Sequence, residues 1–294
     1  MGRSSFSGLR SFLFAPGNHP RKVEKVFSSG ADAVILDLED AVALAEKEAT
    51  RSVVRAAMEA DRACLGYIRV NSLDTGYCED DVAAVVSSRL DGIVLPKVEE
   101  PGQLRQVDAW ISRAEQSVGL EPGSLDLMPI IETAAGVEHA NAIASASARV
   151  RRLSFGGGDY TLDLDYIWSR DEEVLSYARA RLSHASRLAG IEPPIDTVVL
   201  QIRDQQRFRE SAERGRKFGF TGKLCIHPDQ VSLCNAVFSP SAEEVEHARA
   251  VVRAFEQAEA EGSASIQLDG YFIDYPIVYK AQRVLALHER VQQD

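Results

Sequence analysis

The 294-residue sequence is long enough for one α/β barrel of about 250 residues with an appendage, or for two smaller domains. A formal charge of -11, from 33 Lys and Arg against 44 Asp and Glu, argues against a general affinity for nucleic acid and leaves room for one local basic pocket toward a phosphorylated ligand. Cys64, Cys78, Cys225 and Cys234 form no CxxC pair, the N-terminal apolar stretch is too short for a signal peptide, and no run reaches the ~18 apolar residues of a membrane span. These features point to a reducing, cytoplasmic setting with no membrane partner. The opening MGRSSF fits the myristoylation pattern, which is too brief to carry an assignment.

In chain order, eight β-rich runs follow one another: SFLFAPG, AVILDLED, GYIRVN, GIVLPKV, LMPIIET, RRLSFGGG, IDTVVL and KLCIHP. Each is nearly continuous in apolar residues, as strands buried on both faces require, and amphipathic segments separate them. The alternation predicts an α/β fold, a closed (β/α)8 TIM barrel in preference to an open doubly wound sheet. Between the sixth and seventh runs, Leu175, Ala178, Leu182, Ala185 and Leu188 recur at helical spacing and Gly190 supplies the stop. After the eighth run the pattern changes, and residues 241–262 read as one long helix opened by Ser241 and closed by Gly262. The expected domains are therefore a barrel over 1–238 and a C-terminal helical extension over 239–294. The extension's last part reads as a turn, a short extended piece and a final helix, an appendage to the barrel or an arm to a neighbouring subunit.

Active sites of such barrels lie at the C-terminal ends of the strands, and here those ends are polar: Asp37, Glu39 and Asp40, then Arg69 and Asn71, Lys97, Glu132, Asp159 and His227. Glu132 and Asp159 end consecutive strands, about 4.8 Å apart, so both can reach one ion, and two protein oxygens suit Mg2+. The glycines before Asp159 then allow backbone and ligand to crowd around that ion. A phosphate cradle is disfavoured, since GGGD carries neither a P-loop Lys nor GxGxxG spacing, while a plain turn stays open. Asp37 and Glu39 are expected on one side, with Asp40 opening the loop; Glu39 and Asp40 read either as partners of metal-bound water or as an ordinary charged loop. Arg69 offers a fixed fork to a developing enolate or a carboxylate, or else a salt bridge to the acidic cluster. His227 is not assigned as a base, because a single His before proline equally orients a loop. The absence of GxSxG removes the nucleophile elbow.

RSFLFAPGNHPRKVEK, GADAVILDLEDAV, RVN with DT close behind, DGIVLPKVE, PIIETAAGV, LSFGGGDYTLDL and GFTGKLCIHPDQV resemble, in order and across nearly the whole chain, motifs of the citrate lyase β-subunit-like group of the HpcH/HpaI aldolase and malyl-CoA lyase superfamily. The resemblance implies a TIM barrel that binds Mg2+ through Glu132 and Asp159, with Arg69 at the substrate. It implies a C-terminal extension packing on the next subunit of a homotrimer or homohexamer. It also suggests Arg10, Arg21, Lys22 and Lys25 as cations for the phosphates of an acyl-CoA. Asp274, in LDGYFIDYP, becomes by the same resemblance a base acting over the adjacent subunit's site; its other reading is a cap of the last helix, whose first turn suits Pro276.

The GGGD run differs from the glycine, alanine, glutamate, aspartate run usual in bacterial citrate lyase subunits. The expected reaction is accordingly Mg2+-dependent carbon-carbon cleavage of a malyl- or citramalyl-type acyl-CoA to a 2-oxo acid and an acyl-CoA. A base takes the hydroxyl proton, the C2-C3 bond breaks, and Arg69 stabilises the thioester enolate. Alternatives are a citrate lyase β subunit acting on citryl-acyl carrier protein, an aldolase for a free 2-keto-3-deoxy acid, a malyl-CoA thioesterase, and a non-catalytic CoA- or dinucleotide-binding regulator. The carboxylates and Arg69 at the strand ends weigh against the last.

Overall fold

The eight apolar runs become eight parallel strands because each must bury both faces, one inside a barrel and one under helices. In a computed structural model, which describes residues 8–293, they are β1 (Ser11–Pro16), β2 (Ala33–Asp37), β3 (Leu65–Arg69), β4 (Gly92–Leu95), β5 (Asp126–Ile131), β6 (Ser154–Phe155), β7 (Ile195–Asp196) and β8 (Gly222–Cys225). They pair in chain order and β1 closes on β8, which is the (β/α)8 barrel expected from the sequence. The MGRSSF stretch lies outside the described residues, apart from which no helix is long and apolar enough to cross a membrane.

The two-residue period of a strand sorts the side chains. Phe12, Ile35, Tyr67, Val94, Ile130, Ile195 and Leu224 form the barrel's interior cluster. Leu13, Leu36, Ile68, Ile93 and Ile131 belong to the larger outer cluster, with Val54, Val82, Leu104 and Ile111 from surrounding helices. Alternation then directs the next residue on each strand inward at the C-terminal mouth: Phe14, Asp37, Arg69, Glu132, Thr197 and Ile226. The site is the top layer of the barrel interior.

Two strands are much shorter than their sequence runs. β6 and β7 are two residues each and pair only at Ser154↔Ile195. Near them the outward positions carry buried charge in place of Leu or Val. Asp196 of β7 takes both Nε and Nη2 of Arg179 at 3.0 Å, and Nζ of Lys223 from β8 at 2.8 Å, while Arg179 also reaches Glu172 at 2.7 Å. Burial alone would raise the Asp196 carboxyl, but Arg179 and Lys223 hold it below its ordinary value. Arg179 sits on the helix Ser176–Ala189, whose apolar stripe is shorter than expected: Leu175, Ala178, Leu182 and Ala185 are buried, but Leu188 is 67% exposed. With about 100° per residue, Leu188 has turned roughly 90° off the stripe.

Contacts divide the chain after Phe238. In the C-terminal unit, Ser241 and Glu244 form a capping box on the helix Ala242–Ala260, and Gly262 adopts φ +84° just beyond it. The expected short extended piece is a hairpin of β9 (Ile266–Leu268) and β10 (Tyr271–Ile273). Asp269 and Gly270, both at positive φ, form its two-residue turn, the form whose twist matches that of paired strands. The last helix, Tyr275–Gln293, joins Phe255, Val251 and Ile273 in a small core through Val278 and Ala281, while Tyr271 and Phe272 remain exposed.

Candidate active site

A cavity of about 460 Å³ opens at the strands' C-terminal ends and gathers Asp37, Asp40, Arg69, Glu132, Asp159 and Thr197 with Phe14, Leu224 and Ile226. The β2–β3 register sets Asp37 directly beside Arg69. Arg69 donates from Nε and Nη2 to the two Asp37 oxygens at 2.7 and 2.6 Å, its Nη1 lies 2.9 Å from Glu39 Oε2, and the guanidinium stacks 4.9 Å from the Phe14 ring centre. Asp37 also accepts the Glu39 and Ala41 amides at 2.9 and 3.1 Å, which turns the loop. Burial pushes the Asp37 carboxyl up, yet Arg69 and these amides bring it below the ordinary carboxylate value, and Asp37 in turn raises Arg69 against its own burial. The salt-bridge reading of Arg69 is thus the one seen, and the same side chain lines the cavity. Glu39 is buried between Arg69 and Lys97, whose Nζ lies 3.1 Å away; burial still raises its carboxyl above the usual value. Asp40 is more open, 3.9 Å from Arg69 Nη1.

Glu132 is handled differently. Its Oε1 accepts the Lys97 amide at 2.8 Å, and among the described residues no cationic side chain pairs with it. Burial, then repulsion from Asp159, pushes its carboxyl well above the ordinary value. Lys97 takes a left-handed φ of +53° to deliver that amide, a conformation costing on the order of 1–3 kcal/mol. The glycines explain themselves here. A Cβ on Gly156 would collide with Glu132 Oε2, and one on Gly157 would come 2.9 Å from Thr197 Oγ1, whereas Gly158 meets nothing nearer than Trp168 at 3.9 Å. The run permits close approach to the carboxylate and opens the short helix Gly157–Asp163, with Asp159 in its first turn.

The donor set fits Mg2+. Five carboxylates against two cations, Arg69 and Lys97, leave the mouth formally negative, and the unneutralised pair offers only oxygen. Among the described residues no three His, Cys, Asp or Glu side chains gather as a metal set. Glu132 and Asp159 are the two carboxylates at this mouth that would hold such an ion.

Of the proposed CoA contacts, Arg10 is a correction. It precedes β1, at the opposite end of the barrel from the cavity, and its guanidinium is bound by Asp32 at 2.8 and 2.9 Å. Arg21, Lys22 and Lys25 do line a second cavity, about 430 Å³, which adjoins the first through Phe14, Ala15, Pro16 and Ile226. His227 is beside them with its Nδ1 accepting the Asp229 amide at 3.2 Å, a loop-orienting contact. Within the C-terminal unit, Asp274 Oδ1 accepts the Ile277 amide at 3.4 Å, as a cap of the last helix does. Sequence reasoning gave no role to Lys97, to Thr197, or to Lys47, whose Nζ donates to Leu38 O, Glu39 O and Asn71 Oδ1 beneath the acidic loop. Only Lys97 carried a signal, its place at a strand end.

Fold and cavity define an α/β barrel whose mouth is acidic and rich in carboxylate oxygens. Residues 10–228 match HpcH/HpaI aldolase/citrate lyase, and the chain belongs to that family of carbon-carbon lyases. It is 37% identical to the citrate lyase subunit beta of Leuconostoc mesenteroides subsp. cremoris, across 95% of this chain and 92% of the relative. To the L-malyl-CoA/beta-methylmalyl-CoA lyase of Rhodobacter capsulatus it is 33% identical across 94% and 93%. A crystal structure of the protein CitE from Mycobacterium tuberculosis with magnesium, acetoacetate and coenzyme A superposes with a TM-score of 0.76 at 25% identity, covering 96% of this chain and 99% of that one.

The Asp37–Arg69 pair makes a prediction about acid stability. Because Asp37 is depressed in the folded chain, its ionised form contributes stability that is complete above the ordinary carboxylate range and lost as pH falls through the depressed value. Asp37→Asn should cost about 3–5 kcal/mol at neutral pH, and urea unfolding from pH 7 downward should show the gap to the wild type closing on acidification. A gap that stays constant, or widens in acid, contradicts this assignment.

Proposed function

We propose that the chain is a Mg2+-dependent lyase that cleaves a malyl- or citramalyl-type acyl-CoA into a 2-oxo acid and an acyl-CoA. The observation that carries the proposal is one cavity combining an unneutralised buried carboxylate, Glu132, its neighbour Asp159, and the fixed guanidinium of Arg69. Glu132 and Asp159 would hold the ion, which when bound would supply Lewis-acid polarisation of the substrate's hydroxyl and carboxylate oxygens. Arg69, locked by Asp37 and Phe14, presents its positive charge where the thioester oxygen gains negative charge. Asp274 of a neighbouring subunit takes the hydroxyl proton. The hydroxyl carbon becomes the oxo group of the 2-oxo acid as the C2-C3 bond breaks. That bond's electron pair passes to the thioester enolate, which takes up a proton to give the acyl-CoA. Arg21, Lys22 and Lys25 hold the CoA phosphates in the adjoining cavity. The assembly is a homotrimer or homohexamer in the cytoplasm, and exposed Tyr271 and Phe272 are the contact surface through which the C-terminal unit meets its neighbour. The 37% identity to a citrate lyase subunit beta favours a second reading, with citryl-acyl carrier protein as substrate.

Incubating the protein with Mg2+, a panel of acyl-CoAs and glyoxylate, pyruvate or oxaloacetate should give a condensation product by mass. Glu132→Gln and Asp159→Asn should each lower that activity by roughly a thousandfold, since several kcal/mol of charge stabilisation leave with the ion. Full activity in excess chelator contradicts the metal role. Free CoA with intact malate from malyl-CoA identifies a thioesterase instead, and turnover only with citryl-acyl carrier protein selects the second reading.

Asp274 is tested by mixing. Glu132→Ala and Asp274→Ala chains should each be inactive, and activity should return after subunit exchange, when an intact Glu132 on one chain meets an intact Asp274 from another. A verified mixed oligomer that stays inactive removes Asp274 as a base acting across the interface.

A further inference from the structure

The seat of Asp159 depends on a hydroxyl to which the proposed chemistry assigns no part. Thr197 follows β7, continues the inward alternation begun by Ile195, is fully buried and lines the same cavity as Glu132 and Asp159. Its Oγ1 accepts the amide of Gly157 at 2.7 Å. Gly157 opens the seven-residue helix that carries Asp159, and the preceding Gly156 has no side chain to cap it. The first amides of a helix lack partners within the helix, so Thr197 supplies the one that Gly157 needs.

The fit is mutual. A Cβ on Gly157 would come 2.9 Å from Thr197 Oγ1 and 3.1 Å from its Cγ2, so glycine and threonine are matched in size as well as in hydrogen bonding. Thr197 is itself firmly held, because the preceding Asp196 is clamped by Arg179 and Lys223 on the other face of the strand. β6 and β7 pair at a single register position, and beyond it the Thr197–Gly157 bond ties the two strand ends together. On its other side the same glycine run abuts Glu132 through Gly156. The helix start is thus wedged between one metal carboxylate and one hydroxyl, with the second metal carboxylate two residues further on.

We propose that Thr197 is a positioning residue that sets Asp159 at coordinating distance from an ion held by Glu132, an inference resting on the reading of those two carboxylates as the Mg2+ site. Partners of this kind change metal affinity by about 10- to 100-fold when removed. A merely structural threonine lowers the unfolding midpoint and leaves affinity untouched.

The test is Mn2+ binding to the full chain without substrate, by isothermal titration, with unfolding midpoints measured in parallel. Thr197→Val keeps the shape and removes the acceptor, and should weaken Mn2+ binding at least about tenfold; Thr197→Ser restores the acceptor and should bind within about threefold of the wild type. Thr197→Ala carries the same expectation as the valine variant and replaces it if that chain does not fold. A folded Val or Ala variant with wild-type Mn2+ affinity overturns the positioning role alone. A wild type that binds no Mn2+, or a Glu132→Gln variant that binds it as tightly as the wild type, overturns the metal-site reading and the role of Thr197 with it.

Discussion

Glu132 is a buried carboxyl group that pairs with no cationic side chain among the described residues, and the mouth is organised around that fact. Burying a carboxylate beside a second one is unfavourable unless a cation or a proton intervenes. The chain nevertheless invests in it. Lys97 adopts a left-handed backbone to present an amide, Gly156 gives up a side chain so that the next strand can abut the carboxylate, and Asp159 is brought close enough to raise the Glu132 pKa further. A divalent ion held there, as proposed above, would offset that repulsion and give the strain and the missing side chains a common reason.

Other buried charges are treated in the opposite way. Asp37 faces Arg69 with two hydrogen bonds, and Asp196 faces Arg179 and Lys223. These groups are satisfied by the protein and serve its geometry. The Asp196 cluster stands where the strands are shortest, and it anchors β7 from outside. Arg69 belongs to both kinds, since its salt bridge fixes the orientation in which it faces the cavity. The contrast separates carboxylates paired with cations inside the protein from Glu132, which has no cationic partner among the described residues.

Much of this was legible in the sequence because barrels translate strand order into position. Eight apolar runs gave the strands, and the polar residues ending them gave Arg69, Glu132 and Asp159 in one cavity. Arg10 shows the cost of neglecting direction: a basic residue before a strand lies at the end remote from the site, however near it stands in sequence to Arg21. Leu188 and Arg179 show the limit of spacing alone, since tertiary packing buried the arginine and exposed the leucine. The Asp269–Gly270 pair was a readable hairpin signal. Thr197 and Lys47 were not readable, since their roles consist of contacts with backbone atoms 40 and 8–9 residues away that no local pattern announces.

The central claim is that Glu132 and Asp159 share one ion. Crystals grown with Mn2+ and measured near the manganese absorption edge test it without reference to turnover. The account predicts an anomalous peak bonded to one oxygen from each carboxylate, with Arg69 still paired to Asp37. A peak elsewhere, or an ordered Mn2+-saturated crystal in which Glu132 contacts only protein, would contradict it.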